Sequence, residues 1–366
     1  MQSNAEGYAT VIDSQDVISV GTGNSYSTGA DGVSLTVESS QTTDGDVTAT
    51  SYGYADSVTY GQSATTAASG NAGTAYVNEG NLRGTVDQTV GQGVTIAADG
   101  HLDMPGYADS VAMSTTAVAN SQAYGVSGGW SETTTTQQSG ATVYAQSGAD
   151  LGTVGSQAAV ATAALGNNLT SAVDNGSGTT IASQSQTGDS IYAGSFVAAG
   201  QVQSLAATAA TVANNALVAN AYGPMAVELT QDNTSYTRAQ TEVGVYAYGD
   251  VTATASGVGN ALMVSNLGAE TSIDVSQTTS GGVDTYASFT GGQGYDSTVQ
   301  ATSIGNSVMA TSCSTCTGSF HANSQQVNND AVTASAHSNL TGWARGAAVA
   351  ANAVGNSASY YVTRPN

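Results

Sequence analysis

The stretch VGNALMVSNLGAETSIDVSQ (258–277) decides the fold, because its two amides, Asn260 and Gln277, return along the whole chain. An Asn preceded by Gly or Ala recurs as Asn24, Asn71, Asn120, Asn167, Asn214, Asn260, Asn306 and Asn356, at spacings of 47, 49, 47, 47, 46, 46 and 50. A Gln that ends a short polar run recurs as Gln41, Gln88, Gln137, Gln184, Gln231, Gln277 and Gln325. The Asn-to-Gln distance is 17 in six consecutive copies and 19 in the seventh, whereas the Gln-to-Asn distance drifts between 29 and 32. Insertions are tolerated where backbone is exposed and are excluded where each residue lies over its counterpart. The 17-residue arm is therefore read as the stacked, register-locked part. The repeats lie near 17–63, 64–112, 113–159, 160–206, 207–252, 253–298 and 299–348, with a partial copy at 349–366, and together make one repeat domain over 1–366.

The local pattern is that of strands. Val17, Ala64, Met113, Val160, Ala207, Ala253, Val299 and Val349 stand seven residues before their Asn and are all apolar. Runs such as VTATASGVGN (251–260) and SIDVSQ (272–277) alternate small or apolar with polar residues, the period of a half-buried strand. The Gly-Asn pair suits a bend that needs a left-handed residue. The alanine-rich QAAVATAALG (157–166) has helical propensity, but it shares the phase of strand copies. Many short strands at fixed phase, with small inward residues, predict an all-β, elongated β-solenoid of about seven and a half repeats. A slim core suits Ala and Val, which favours two rungs per repeat and a rod on the order of 70 Å long; one wide rung per repeat would halve it.

In such a stack a primary amide at one phase donates to the copy on one side and accepts from the other. The Asn and Gln sets are accordingly read as structural ladders that fix register. The alternative is that they line a sugar-binding groove.

Composition narrows the function. The chain has 366 residues, 26 acids and only 4 basic residues, all Arg, for a net charge of -22. It lacks the basic footprint of a nucleic-acid binder and the polybasic patch of an anionic-membrane binder. No window of 18 apolar residues predicts a transmembrane helix. The opening residues MQSNAEGYAT (1–10) lack a charged n-region and an apolar h-region. A mature segment with its targeting sequence removed is expected, with a cytosolic protein as the alternative.

Asp250 and Asp296 lie ten residues before their Asn, and Gly291-Gly-Gln-Gly-Tyr-Asp296 has the GGxGxD form of calcium-binding β-rolls. That form occurs once rather than in tandem, so Ca²⁺ at these two carboxylates is the weaker expectation beside a solvated acidic face and no cofactor. Cys313 and Cys316 form a CxxC without a βαβ context. A local disulfide closing an inserted loop is expected, with a free or intermolecular pair as the alternative. There is no HExxH, GxSxG or P-loop pattern and no lysine, so no catalytic residue is nominated.

The phrases VGNALMVS (258–265), IGNSVMATS (304–312) and VGNSASYY (354–361), with SQTTDGDVTATS (40–51), SQTTSGGVDTYAS (276–288) and SQQVNNDAVTASA (324–336), share one cadence. It resembles the D-type component of bacterial holdfast-anchor proteins. More loosely it is similar to the Gln/Asn-laddered repeats of curli-like surface proteins. The resemblance implies a secreted, non-enzymatic protein at the outer cell surface that works with sister anchor proteins and tethers an adhesive polysaccharide. Self-stacking into fibres, and contact with an acidic or neutral polysaccharide, are part of that expectation. The other readings are a phage or secreted receptor-binding fibre and a β-helix polysaccharide-degrading enzyme.

Overall fold

The structure, a computed structural model, describes residues 1–267, 270–312 and 318–363. Long and short strands alternate: β1 (Gln2–Asp31), β2 (Leu35–Thr43), β3 (Val47–Asn78), β4 (Leu82–Val90), β5 (Thr95–Ser127), β6 (Trp130–Ser139), β7 (Thr142–Asp174) and β8 (Ser177–Gln186). They continue as β9 (Ser190–Ala221), β10 (Met225–Asn233), β11 (Tyr236–Asn266), β12 (Thr271–Thr279), β13 (Val283–Ser312), β14 (Phe320–Asn328), β15 (Val332–Leu340) and β16 (Gly346–Val362). The long strands form one parallel sheet in the order β1-β3-β5-β7-β9-β11-β13, whose last level is divided between β15 and β16, both on β13; the short strands form a second in the order β14-β12-β10-β8-β6-β4-β2. This is a β-solenoid.

Every ladder pairs a residue with its copy one repeat away: Asn214 faces Asn260 in the long-strand sheet, and Gln231 faces Gln277 in the short-strand sheet. One repeat is thus one wide coil, not the expected two rungs. The eight levels span on the order of 35 Å at about 4.8 Å each. Small core residues fit a wide coil as well as a slim one. The coil is wide but flat, and side chains of its two walls meet directly across the interior.

The flatness follows from the path of a long strand. Its register breaks near the first third, at Tyr54/Val58 and Val58/Gly61 in β3. There the chain folds back, so that Ser51 meets Thr66 and Ser147 accepts from Thr162 at 2.7 Å across the interior. The remaining two thirds form a back wall. The short strand, followed by the first third of the next long strand, forms the front wall. A first apolar cluster, including Val47, Ala49, Ala64 and Ala68, lies between the first third and the near half of the back wall. A second, including Ala75, Val77, Leu82 and Val86, lies between the far half and the short strands.

The Gly-Asn pair separates the two clusters. Inward residues alternate up to Gly70, then Asn71 is buried as well, so the inward parity switches there. No Gly of these pairs adopts a positive φ. The small residue is required by crowding instead: a Cβ on Gly70 would stand 2.6 Å from the carbonyl oxygen of Ala119 in the next coil. The expected left-handed bend occurs elsewhere, at the turn from back wall to short strand, where Gly32, Glu79, Gly128, Asn175 and Tyr222 all have positive φ.

Tyr222 at φ 71° is the least suited of these, because a bulky L-residue crowds its own carbonyl in that region. Tyr222→Gly is expected to raise unfolding stability by about 1 kcal/mol, read by chemical denaturation. A fall in stability would show that ring packing outweighs backbone strain at this turn.

Candidate functional site

The amides form two continuous columns between the apolar clusters. The Asn side chain turns inward at the parity switch, and the Gln turns inward from the facing short strand. Asn71, Asn120, Asn167, Asn214, Asn260 and Asn306 are fully buried, as are Gln88, Gln137 and Gln277. Asn24 Nδ2 donates to Asn71 Oδ1 at 2.9 Å, and the step repeats through Asn120, Asn167, Asn214, Asn260, Asn306 and Asn356 at 2.7–2.8 Å. The second N–H crosses to a carbonyl on the short strand, as from Asn214 to Asp232 at 2.9 Å. Both amide hydrogens are satisfied where no water reaches them, which burial requires.

The Gln column runs the opposite way. Gln88 Nε2 donates back to Gln41 Oε1 at 2.8 Å, and Gln137, Gln184, Gln231 and Gln277 repeat the step at 2.7–2.8 Å. Each Gln also donates to a back-wall carbonyl, as from Gln231 to Ala261 at 3.0 Å. The Asn dipoles therefore point toward later coils and the Gln dipoles toward earlier ones. Side by side in a low-dielectric interior, the two columns point in opposite directions and their dipoles largely offset one another.

One assignment needs correction. At the seventh level Gln326, not Gln325, faces Gln277 and donates to it at 2.8 Å. Gln325 faces Ser276 on the outward side. Adjacent glutamines are indistinguishable by composition; the insertion before this strand lengthens the arm to 20 residues and moves the inward position to the second of them. Threonine hydroxyls also join the Asn column at two levels. Thr43 Oγ1 donates to Asn71 Oδ1 and Thr279 Oγ1 to Asn306 Oδ1, both at 2.9 Å.

Asp250 and Asp296 are register partners in adjacent coils. The Arg345 guanidinium grips Asp296, with Nε at 3.0 Å, and this hydrogen bonding holds the carboxyl below the usual carboxylate range. Among the described residues no group of three His, Cys, Asp or Glu side chains converges as metal ligands would. Cys313 and Cys316 lie outside the described residues.

The outward face of the front wall carries a feature that the Asn and Gln spacings do not reveal. Rings stack along the coils: Tyr52 on His101 at 5.5 Å and Tyr144 on Tyr192 at 5.3 Å. Gly148 stands between His101 and Phe196 in the first row, and with Gly244 in a neighbouring row it leaves a groove of about 490 Å³ lined by His101, Gln146, Asp150, Phe196 and Glu242. The signal was present as aromatic residues one repeat apart, but Tyr, His and Phe substitute for one another there and hide the column. Burial, and then the neighbouring Tyr144, push the Tyr192 hydroxyl up to about 12.

Asp99 sits on the same face. Burial pushes its carboxyl above the ordinary range, against the opposing pull of His101. A raised folded pKa contributes stability below the unfolded value and loses it as pH rises. Asp296 has the opposite sign, contributing above its unfolded value and failing as pH falls through its depressed folded value. Acidification also relieves the self-repulsion of a chain with net charge -22. The melting temperature is expected to rise as pH drops from neutrality through the raised folded pKa of Asp99, then to fall at lower pH as the Asp296 pair is lost. Asp99→Asn should flatten part of the rise; a melting temperature that falls monotonically from pH 7 contradicts this account.

Among the described residues no helix is long and apolar enough to cross a membrane. Comparisons with curated proteins and with solved structures gave no match. The sequence model of a family described as holdfast attachment protein D matches residues 9–282, a span that takes in five complete steps of the Asn column, Asn24 through Asn260. Since that match covers well over half of the chain, the protein belongs to the holdfast attachment protein D family.

Proposed function

We propose that this chain is a non-enzymatic protein of the bacterial cell surface that anchors an adhesive polysaccharide, the holdfast, to the outer envelope. Membership of the holdfast attachment family carries the reading. The geometry supports it in two ways. The amide columns give a stiff stack whose register is costly to disturb, as a load-bearing tether needs. The front wall offers stacked rings flanked by carboxylate and amide groups, a chemistry that holds sugar rings by face contact and hydrogen bonds. In this reading the polysaccharide lies along the front wall, and sister surface proteins or further copies complete the anchor. A coil bearing the same two amides, added above or below, would continue both columns with the correct polarity.

The test is co-sedimentation of the purified chain with isolated holdfast polysaccharide, beside adhesion of cells that lack the protein. Retention that falls at least tenfold with Tyr192→Ala and Phe196→Ala, and shedding of the adhesive by the deficient cells, are the expected results. Cells that keep their adhesive without the protein, together with no retention by the wild-type chain, would overturn the proposal.

A further inference from the structure

The back wall differs from the rest of the surface in being almost free of charge, with acids only at its edges, Asp16 and Asp31 in the first coil and Asp174 in the fourth. Residues 62–78, 111–127, 158–173, 205–221, 251–266 and 297–312 contain no Asp, Glu, Lys, Arg or His, in a chain with 26 acids. The same holds for 17–30 in the first coil and 347–363 in the last. These runs are the back-wall portions of the long strands. The acids lie instead on the front wall, as with Asp87, Asp150, Glu228 and Glu242, and at the corners, as with Asp250 and Asp296.

The wall is also apolar at its middle. Val212, Val258 and Ile304 are register partners, half-buried on the outer side next to the Gly-Asn pairs. Leu217, Met263 and Met309 form a second row beyond the parity switch, with Met263 41% and Met309 46% exposed. Two outward apolar rows crossing several coils make a contiguous patch, not the isolated hydrophobes common on any surface.

We infer that the back wall is an interface on which a second copy of this chain docks face to face. Three arguments select that occupant. The wall is about 17 residues wide and eight coils tall, on the order of 55 Å by 35 Å, roughly twice the area per partner that a stable interface needs. Two copies joined by this wall keep every front-wall acid pointing outward, whereas docking through the front wall would set like charges against each other. The rows repeat at the coil spacing, so a two-fold partner presents rows of the same pitch, and the contact is self-complementary. A lipid surface fits less well, because these segments lack the Trp, Lys and Arg of an interfacial face. The inference does not depend on the anchoring role.

The test is sedimentation equilibrium of the purified full chain. A mass of twice 36.1 kDa is expected for the wild type. Val212→Glu combined with Met263→Glu should give a folded monomer, judged by an unchanged far-ultraviolet spectrum. Thr134→Glu combined with Ser183→Glu adds the same charge to the exposed side of the short strands and should leave the dimer intact. Should the first double variant fail to fold, the milder Val258→Ser is expected to weaken dimerisation at least tenfold. A wild type that is monomeric throughout, or a dimer or larger assembly that survives the back-wall variants, would overturn the inference.

Discussion

Asn214→Leu lowers the free energy of unfolding by roughly 3–9 kcal/mol, the largest effect expected from any single side chain in the stack. The substitution orphans three buried groups. Asn167 Nδ2 loses the oxygen it donates to at 2.8 Å, Asn260 Oδ1 loses the donor at 2.8 Å, and the Asp232 carbonyl loses its partner at 2.9 Å. Each buried polar group left without a partner costs about 1–3 kcal/mol, and leucine supplies none of the bonds. The adjacent Asn215 is the control. It lies on the outer side, half-buried, and donates to Asn168 at 2.8 Å. Asn215→Ala should shift stability by no more than about 1 kcal/mol, because water replaces the lost bond. Urea denaturation of both variants checks the contrast, and equal losses would mean that the inner column is not the source of register.

Gly176→Val is expected to cost at least about 3 kcal/mol and to broaden the unfolding transition. Gly80, Gly129, Gly176 and Gly223 stack at the turn into the short strand, and a Cβ on Gly176 would lie 1.5 Å from the Gly129 carbonyl oxygen. That oxygen belongs to backbone, so relief requires the turn to move away from the coil beneath it. Gly244 provides the comparison, since a Cβ there meets nothing within 4 Å. Gly244→Ala should be neutral or stabilising by a few tenths of a kcal/mol, because it restricts the unfolded chain without strain. Thermal melting of the two variants separates crowding from any general need for glycine.

The architecture was largely legible because its governing contacts repeat in sequence. Asn24 to Asn306 occur at one phase, each preceded by a residue small enough to pass beneath the next coil's carbonyl, and Gln41 to Gln277 follow at 17 residues. Coil width was not legible from residue size. Val, Ala and Thr fill a thin layer equally well in a slim coil and in a flattened wide one. The choice between Gln325 and Gln326 turned on an insertion whose length alone does not say which neighbour points inward. The turn glycines were hidden because Glu79, Asn175 and Tyr222 hold the left-handed position where Gly32 and Gly128 also stand, and the glycine that follows is present in four of these five turns, with Val33 in the first. The charge-poor back wall was present in the sequence as eight uncharged runs. It becomes meaningful only once the parity of the strands shows that half of each run faces outward.

Hydrogen exchange of the side-chain amides tests the central claim, a continuous column of buried and mutually bonded amides at one coil per repeat. The account predicts that the NH₂ groups of Asn167, Asn214 and Asn260 exchange only when the whole stack unfolds, while that of the exposed Asn329 exchanges at the rate of a free amide. Exchange of all four at the free rate in the native protein would contradict it.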